Sequence, residues 1–353
     1  MKMTRQEYME ALAQALSGLS PDARNAALTF YQEMLDDSME EDGLTEEEAV
    51  AAMEDVAVIA AQVKEEEAEA AANLPPAVLS DEIEEKKAVY PADALNVIRI
   101  RARDCGIRFE PAPDGRITLN YHTSPWSEYR HSCENGVLLL ENTASRPRIF
   151  SGFRFFGASP AIPPITLSLP ADALLDLDLA TTNASILGHG LRSLCAARLL
   201  SSNAKIALED VICKSLKINT SNGKITLVNI ESKQSIRGNT SDSRIEGRNV
   251  KSGEEMHFIT SNGKIQAEEI SAGTNLTLTT SNGNISLHCL RAAGITLRTS
   301  NGKIQGTLPG CQADWAIESA TTNGKNNLPK HQEGEKPLTV RTSNGNINLE
   351  FGA

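Results

Sequence analysis

The chain changes its hydrophobic rhythm part-way along. Up to about residue 72 apolar residues recur at helical spacing; from about residue 95 they alternate with polar ones, as on half-buried strands. In the first stretch Tyr8, Leu12, Ala15 and Leu16 share one face. Ala27, Phe30, Tyr31, Met34 and Leu35 share a second, and Ala49, Val50, Met53, Val56, Ala57 and Ala60 a third. Thr4 with Glu7 and Thr45 with Glu48 have capping-box spacing: the hydroxyl accepts from the glutamate's N–H while the carboxylate accepts from the threonine's. Gly18 and Asp42-Gly43 break the pattern, and Ser20-Pro21 places a cap before a proline at the first helical position, where a missing N–H is harmless. The reading is a three-helix unit over residues 1–72, its third helix running on through 64–72. Asn73-Leu74-Pro75-Pro76 ends it, and residues 73–90 read as a charged linker. Residues 91–170, with Val97–Arg101, Ile117–Leu119 and Val137–Leu140, read as a strand-rich lead-in and cap.

Residues 171–353 carry an internal repeat. Thr-Ser-Asn-Gly-Lys/Asn-Ile and its variants place a register residue at Asn183, Asn203, Asn222, Asp242, Asn262, Asn282, Asn301, Asn323 and Asn344. A fixed period near 20 means stacked, like structural units. Within a unit, Leu276, Leu278, Thr280 and Asn282 alternate with polar neighbours and so face one side of a strand, and Asn282-Gly283 gives a tight-turn signal because both residues tolerate positive φ. Ile285 and Leu287 follow on the next strand. A leucine-rich repeat would need a helical half, and a propeller blade about twice the period. The fold class expected is therefore mainly β: a single-stranded β-solenoid, right-handed and β-helix-like by the crossover rule, with a small N-terminal α domain. Nine coils at about 4.8 Å give a rod of about 43 Å. Ile186, Ile206, Ile225, Ile245, Ile265, Ile285, Ile304 and Ile347 should stack as an apolar ladder broken once, by Asn326. The register asparagines should form an amide ladder.

Charge divides the chain in the same place. Residues 1–90 hold 22 acidic and 6 basic side chains, whereas residues 91–353 carry a net charge of +4. That weak positive charge disfavours nucleic acid as a partner. The acids from Asp36 to Glu48 lack the alternation of a calcium loop and read as a solvated face. Six scattered cysteines without a Cys-x-x-Cys pair read as reduced thiols rather than a zinc site or a disulfide framework. No cofactor is implied. The absence of an apolar leader and of a long apolar helix points to the cytoplasm.

Two surfaces are candidates for binding. Lys205, Lys224, Arg244, Lys264, Lys303 and Lys325 follow the turn in successive units, with Asn284 and Asn346 interrupting. In register they form a basic stripe suited to an anionic partner, the acidic N-terminal stretch among them, or else a solubilising row. Phe150, Phe153, Phe155 and Phe156 concentrate aromatic residues in one segment, suited to a protein or membrane surface or to plugging the first coil. No catalytic residue is singled out. Asp176 and Asp178 alternate with leucines and read as a strand face, and Asp242 reads as a ladder variant.

Two resemblances bear on function. Tyr8-Met9-Glu10-Ala11-Leu12, Leu19-Ser20-Pro21, Tyr31–Asp37 and Gly43–Val50 make residues 1–63 similar to the HAAS-type signalling domain of bacteria. The resemblance implies a protein-binding regulatory role, often beside a PadR-type transcriptional regulator. Residues 95–353, through the Thr-Ser-Asn-Gly repeat, resemble the bacterial putative-adhesin β-strand-repeat domains of unknown function. The expectation is a non-enzymatic regulatory or scaffolding protein whose helical part binds a protein partner. The alternatives are a β-helix carbohydrate-active enzyme, which needs carboxylates clustered in a groove, or a cell-surface adhesin.

Overall fold

The computed structural model describes residues 3–19, 24, 27–28, 31–32, 35, 45–53, 55–61, 63–64, 83–124, 127–143 and 163–352. The helical N-terminal residues and the β residues belong to two separate compact units.

In the helical unit α1 spans Arg5–Ala15 and α2 spans Glu46–Ala52. Both open on the capping boxes read from the sequence: Glu7 N–H donates to Thr4 Oγ1 at 3.2 Å, and Thr45 N–H donates to the Glu48 carboxylate at 2.9 Å. Thr4 N–H and the Thr4 hydroxyl both donate to the Glu7 carboxylate, at 2.8 and 3.0 Å, and hold it below its usual range. Tyr8, Leu12, Leu16, Ala27, Leu35, Ala49, Val50, Ile59, Ala60 and Val63 are buried together. The third helix is shorter than expected. It stops at Ala52, with Met53 in an extended conformation, and a fresh helical stretch starts after Asp55, whose carboxylate accepts from Ala57 N–H. The restart shifts the phase, so Ile59 and Val63 turn inward and Ala57 is exposed. The Ser20-Pro21 start, Phe30, Met34, the acids 36–44 and the extension through 65–72 lie outside the described residues.

The β unit is a solenoid with the period seen in the sequence. One turn illustrates it. A straight run, Ile225–Val228, meets a corner at Asn229, whose φ of 54° is left-handed. A second run, Ile230–Ser232, and a third, Ile236–Asn239, complete the circuit before the Thr240–Arg244 corner. Each run pairs in parallel with the equivalent run one turn on; Ile225 lies between Ile206 and Ile245. The left-handed corner recurs at Asp210, Asn229, Asn249, Glu269 and Cys289, residues in which the sequence pattern carries no common type.

The core is the stack of inward positions. The isoleucine ladder is unbroken: Ile165, Ile107, Ile186, Ile206, Ile225, Ile245, Ile265, Ile285, Ile304 and Ile347 follow one another by direct pairing. Asn326 does not interrupt it as expected. It bridges to Ile347 at the end of the stack, where a polar side chain can bond Ser319 Oγ at 2.7 Å. Phe258 fills space left by Gly238 and Gly247, where an added Cβ would lie 3.2 Å from its ring.

Both ends depart from sequence order. Near the N-terminal end β1 is Glu84–Tyr90, β2 Val97–Arg101, β3 Ile107–Pro111, β4 Ile117–Thr123, β5 Tyr129–Glu134, β6 Val137–Asn142, β7 Ile165–Leu169, β8 Asp176–Thr181 and β9 Ile186–His189. β2 lies between β6 and β8, and β3 between β7 and β9. At the other end Lys336–Arg341 lies between Gly294–Arg298 and Trp315–Ala320. The last coil in the chain is thus the penultimate one in space, and the coil carrying Asn323 completes its circuit only by the single Asn326 bridge. Tucking β2, β3 and the Lys336–Arg341 strand one layer in gives each of them a hydrogen-bonded neighbour on both sides, which resists fraying there. Residues 84–90, read as linker, instead form β1, antiparallel to β4. Glu84, Glu85, Lys86 and Lys87 put alternating charge on that outer strand, which deters edge-to-edge pairing.

Candidate functional site

The Thr-Ser-Asn-Gly corner is the most repeated polar feature and the starting point for any site. Its threonine is buried in turn after turn; Thr280 is 2% exposed. Thr280 Oγ1 accepts from Gly283 N–H at 3.1 Å and donates to the Gly263 carbonyl one coil back at 3.0 Å. The same pair of bonds forms at Thr260, Thr299 and Thr342. Each hydroxyl closes its own corner and ties it to the next. The sequence reading put Thr280 on the inward face with Leu276 and Leu278 but did not give its bonds, and it put Asn282 there too; Asn282 is exposed because the chain has already turned the corner.

The glycine serves a different purpose from the one expected. Neither Asn282 nor Gly283 has a positive φ. A Cβ on Gly283 would lie 1.9 Å from the Gly263 carbonyl oxygen, and one on Gly263 would lie 1.9 Å from that of Ser243. Glycine is required here because backbones approach closely at the stacked corners, not for left-handed conformation.

The asparagine ladder lies along this corner. Nδ2 of each residue donates to Oδ1 of the one before: Asn222 to Asn203 at 2.7 Å, Asn282 to Asn262 at 2.7 Å, Asn301 to Asn282 at 2.7 Å. Asn203 bonds Asn183, which in turn bonds Asp104, and Asn262 bonds Asp242. The order then follows space rather than sequence: Asn344 bonds Asn301 and Asn323 bonds Asn344. Asp242 has no side-chain amide N–H to offer Asn222, so the amide chain restarts there. A second, shorter ladder joins Asp210, Asn229 and Asn249 at the left-handed corner, with 2.9 Å between neighbours.

The basic stripe is in register but is not uniform. From the pairing of the following isoleucines its order is Lys205, Lys224, Arg244, Lys264, Asn284, Lys303, Asn346, Lys325. Glu246, on the adjoining strand, meets Lys224 at 2.8 Å and Arg244 at 3.3 Å. The interrupting asparagines bond the next backbone: Asn284 Oδ1 accepts from Lys303 N–H at 2.7 Å and Asn346 Oδ1 from Lys325 N–H at 2.8 Å. Phe150, Phe153, Phe155 and Phe156 lie outside the described residues.

The carboxylates of the enzyme reading have structural partners. Asp176 accepts from Ala196 N–H at 2.9 Å. Burial works to raise the Asp178 carboxyl, but the Arg101 and Arg99 guanidiniums outweigh it and hold it below its usual range. One shallow depression of about 340 Å³ does collect two acids and a histidine: Glu110, His189 and Glu209 follow one another on successive coils beside Leu187 and Val228. In the cap, Tyr90 Oη and His131 Nε2 are 2.7 Å apart, with the Tyr121 ring edge-on to His131. Burial pushes the Tyr129 phenol and Cys105 thiol up and His131 down, so all three favour their neutral forms. That is the opposite of an activated nucleophile. Among the described residues no three His, Cys, Asp or Glu side chains converge as a metal site, and no helix is long and apolar enough to cross a membrane.

Comparison with known proteins follows the two units. The Toastrack DUF4097 family model matches residues 95–350, and the HAAS model matches residues 7–62. No curated protein matches the chain. Among solved structures, a putative adhesin from Parabacteroides merdae is 14% identical, with a TM-score of 0.44 over 77% of this chain and 97% of that one. A putative adhesin from Bacteroides fragilis is 12% identical, with a TM-score of 0.35 over 76% and 97%.

Proposed function

Because the chain belongs to the Toastrack family and carries a HAAS stretch ahead of that domain, we propose that it is a regulatory scaffold: the acidic helical unit binds a protein partner and the solenoid supplies a rigid surface. The observation that carries the reading is how the repeated polar groups are used. Threonine hydroxyls and asparagine amides bond the neighbouring coil, and Asp176 and Asp178 are held by a backbone N–H and two arginines. Such groups stiffen a surface and are not left to act on a substrate. The partner we assign to the helical unit is a transcriptional regulator, in keeping with the HAAS resemblance. The test is affinity capture with the full chain and with a chain lacking residues 1–72. A transcriptional regulator retained by the first and lost by the second supports the assignment; equal capture by both, or capture of none, overturns it.

A second reading rests on Glu110, His189 and Glu209. Two coil rises put the carboxylates about 10 Å apart, close to the separation of an inverting carbohydrate hydrolase. Both side chains stand at an open surface, which gives a general acid no enclosed, water-free setting. Hydrolysis of polysaccharide that disappears in Glu110→Gln and Glu209→Gln would favour this reading over the scaffold.

A further inference from the structure

The run that contains Ile236–Asn239 forms a face whose outward side chains are strongly biased in charge. Register places Arg99, Asp178, Arg198, Lys217, Arg237 and His257 in one line across successive coils. Arg99 shares Asp178 with Arg101, and Arg237 shares Glu255 with His257. Arg198 and Lys217 are exposed and make no ion pair within 4 Å among the described residues; Arg198 lies beside Asp178 in register and acts on it at longer range, while Asp178 is already held by Arg99 and Arg101. Three consecutive coils therefore present Arg198, Lys217 and Arg237 about 4.8 Å apart, an arrangement in which like charges repel unless an anion lies across them. A rigid parallel ladder cannot relieve this by slipping, because a one-residue shift would turn the buried leucines and isoleucines outward.

The geometry points to this face as a docking surface for an acidic α-helix of a partner protein, lying along the solenoid axis. The inference goes beyond the helical unit's own partner and deepens the reading of the solenoid as an interaction surface. The argument is a match of periods. A helix presents one side chain per turn on a given face, every 5.4 Å or so, against a coil rise of about 4.8 Å. Across three coils the mismatch is about 1.2 Å, well within the reach of arginine and lysine side chains. Alternate residues of an extended peptide repeat at about 6.7 Å and drift out of step by about 4 Å over the same distance. The face also has an apolar shoulder. Leu200 and Ile259 lie in the next outward row, Ile259 41% exposed, flanking Asn219 and Asn239. No outward Phe, Tyr or Trp occurs on the runs Ala197–Leu200, Leu216–Asn219, Ile236–Asn239 and Met256–Ile259, so apart from the single His257 ring the face lacks the row of stacking platforms that single-stranded nucleic acid uses.

The test is fluorescence anisotropy of a labelled alanine-based helical peptide with one glutamate per turn over four turns, titrated with the full chain at low salt. A peptide of equal composition with its glutamates distributed around the helix is the comparison. The expected result is at least tenfold tighter binding of the one-faced peptide, weakened at least tenfold by Lys217→Glu and unchanged by Lys251→Glu on another face. Lys217→Glu places a carboxylate between Arg198 and Arg237, so its urea midpoint should hold or rise, which separates lost binding from lost folding. Equal affinity for the two peptides, no response to Lys217→Glu, or stronger Lys217-dependent binding of heparin or oligo(dT) than of the one-faced peptide would overturn the proposal. None of these results touches the capture experiment on residues 1–72, so the two readings fail separately.

Discussion

Replacing Thr280 with valine isolates the bond that locks one corner to the next. Valine keeps the volume and β-branching and removes only the hydroxyl. Two hydrogen bonds go with it, the one from Gly283 N–H at 3.1 Å and the one to the Gly263 carbonyl at 3.0 Å. A protein hydrogen bond contributes about 1 kcal/mol net, and a buried group left without its partner costs about 1–3 kcal/mol. Because Gly283 is only partly buried and water can reach it, the low end of that range applies to each of the two groups released, and Thr280→Val should destabilise the solenoid by about 2–3 kcal/mol. Thr280→Ser keeps both bonds and loses one methyl group, about 1 kcal/mol. The assay is urea unfolding of the full chain by tryptophan fluorescence, since Trp315 is buried in the solenoid. Amide exchange at Gly283 gives the local effect. In a repeat architecture each coil contacts chiefly its neighbours, so Gly283 should exchange faster in the valine variant while amides several coils away change less. A valine variant within 0.5 kcal/mol of the native protein, or a serine variant less stable than the valine one, would refute the role given to the hydroxyl.

Other expectations follow from the same geometry. Gly283→Ala should be more damaging than Thr280→Val, because its Cβ would meet the Gly263 carbonyl oxygen at 1.9 Å and backbone rather than a flexible side chain must move; a urea midpoint equal to the native one would contradict this. Asp178 has a depressed folded-state pKa, so its contribution to stability is present above the unfolded value of about 3.9 and is lost as pH falls through the folded value. Acid titration of Asp178→Asn should lack that increment, and identical acid profiles for the two proteins would count against the Arg99 and Arg101 pairing. Burial pushes the Cys213 thiol up to about 12, whereas Cys133 and Cys311 are exposed. A thiol reagent at pH 8 should label Cys133 and Cys311 in the native protein and reach Cys213 only after unfolding, as peptide mapping can check.

Much of the architecture was legible in the residues alone. The recurrence of Thr-Ser-Asn-Gly near every twentieth position specifies a stack, because each coil meets the same environment as its neighbours, and alternation within the coil specifies which side chains face inward. The isoleucine and asparagine ladders follow directly from those two facts, as do the capping boxes at Thr4 and Thr45, which depend only on residues three apart. Tertiary structure decided what depends on neighbours from distant sequence. It placed the Asn344 coil between those of Asn301 and Asn323, because strand edges seek partners wherever the chain returns. It set Glu246 against Lys224 and Arg244, and it lined Arg198, Lys217 and Arg237 along one face. It also gave the corner glycines their reason, a carbonyl under 2 Å from where a side chain would begin. Periodicity is local and survives in one dimension; contact between coils is a matter of register, and register exists only once the strands have paired.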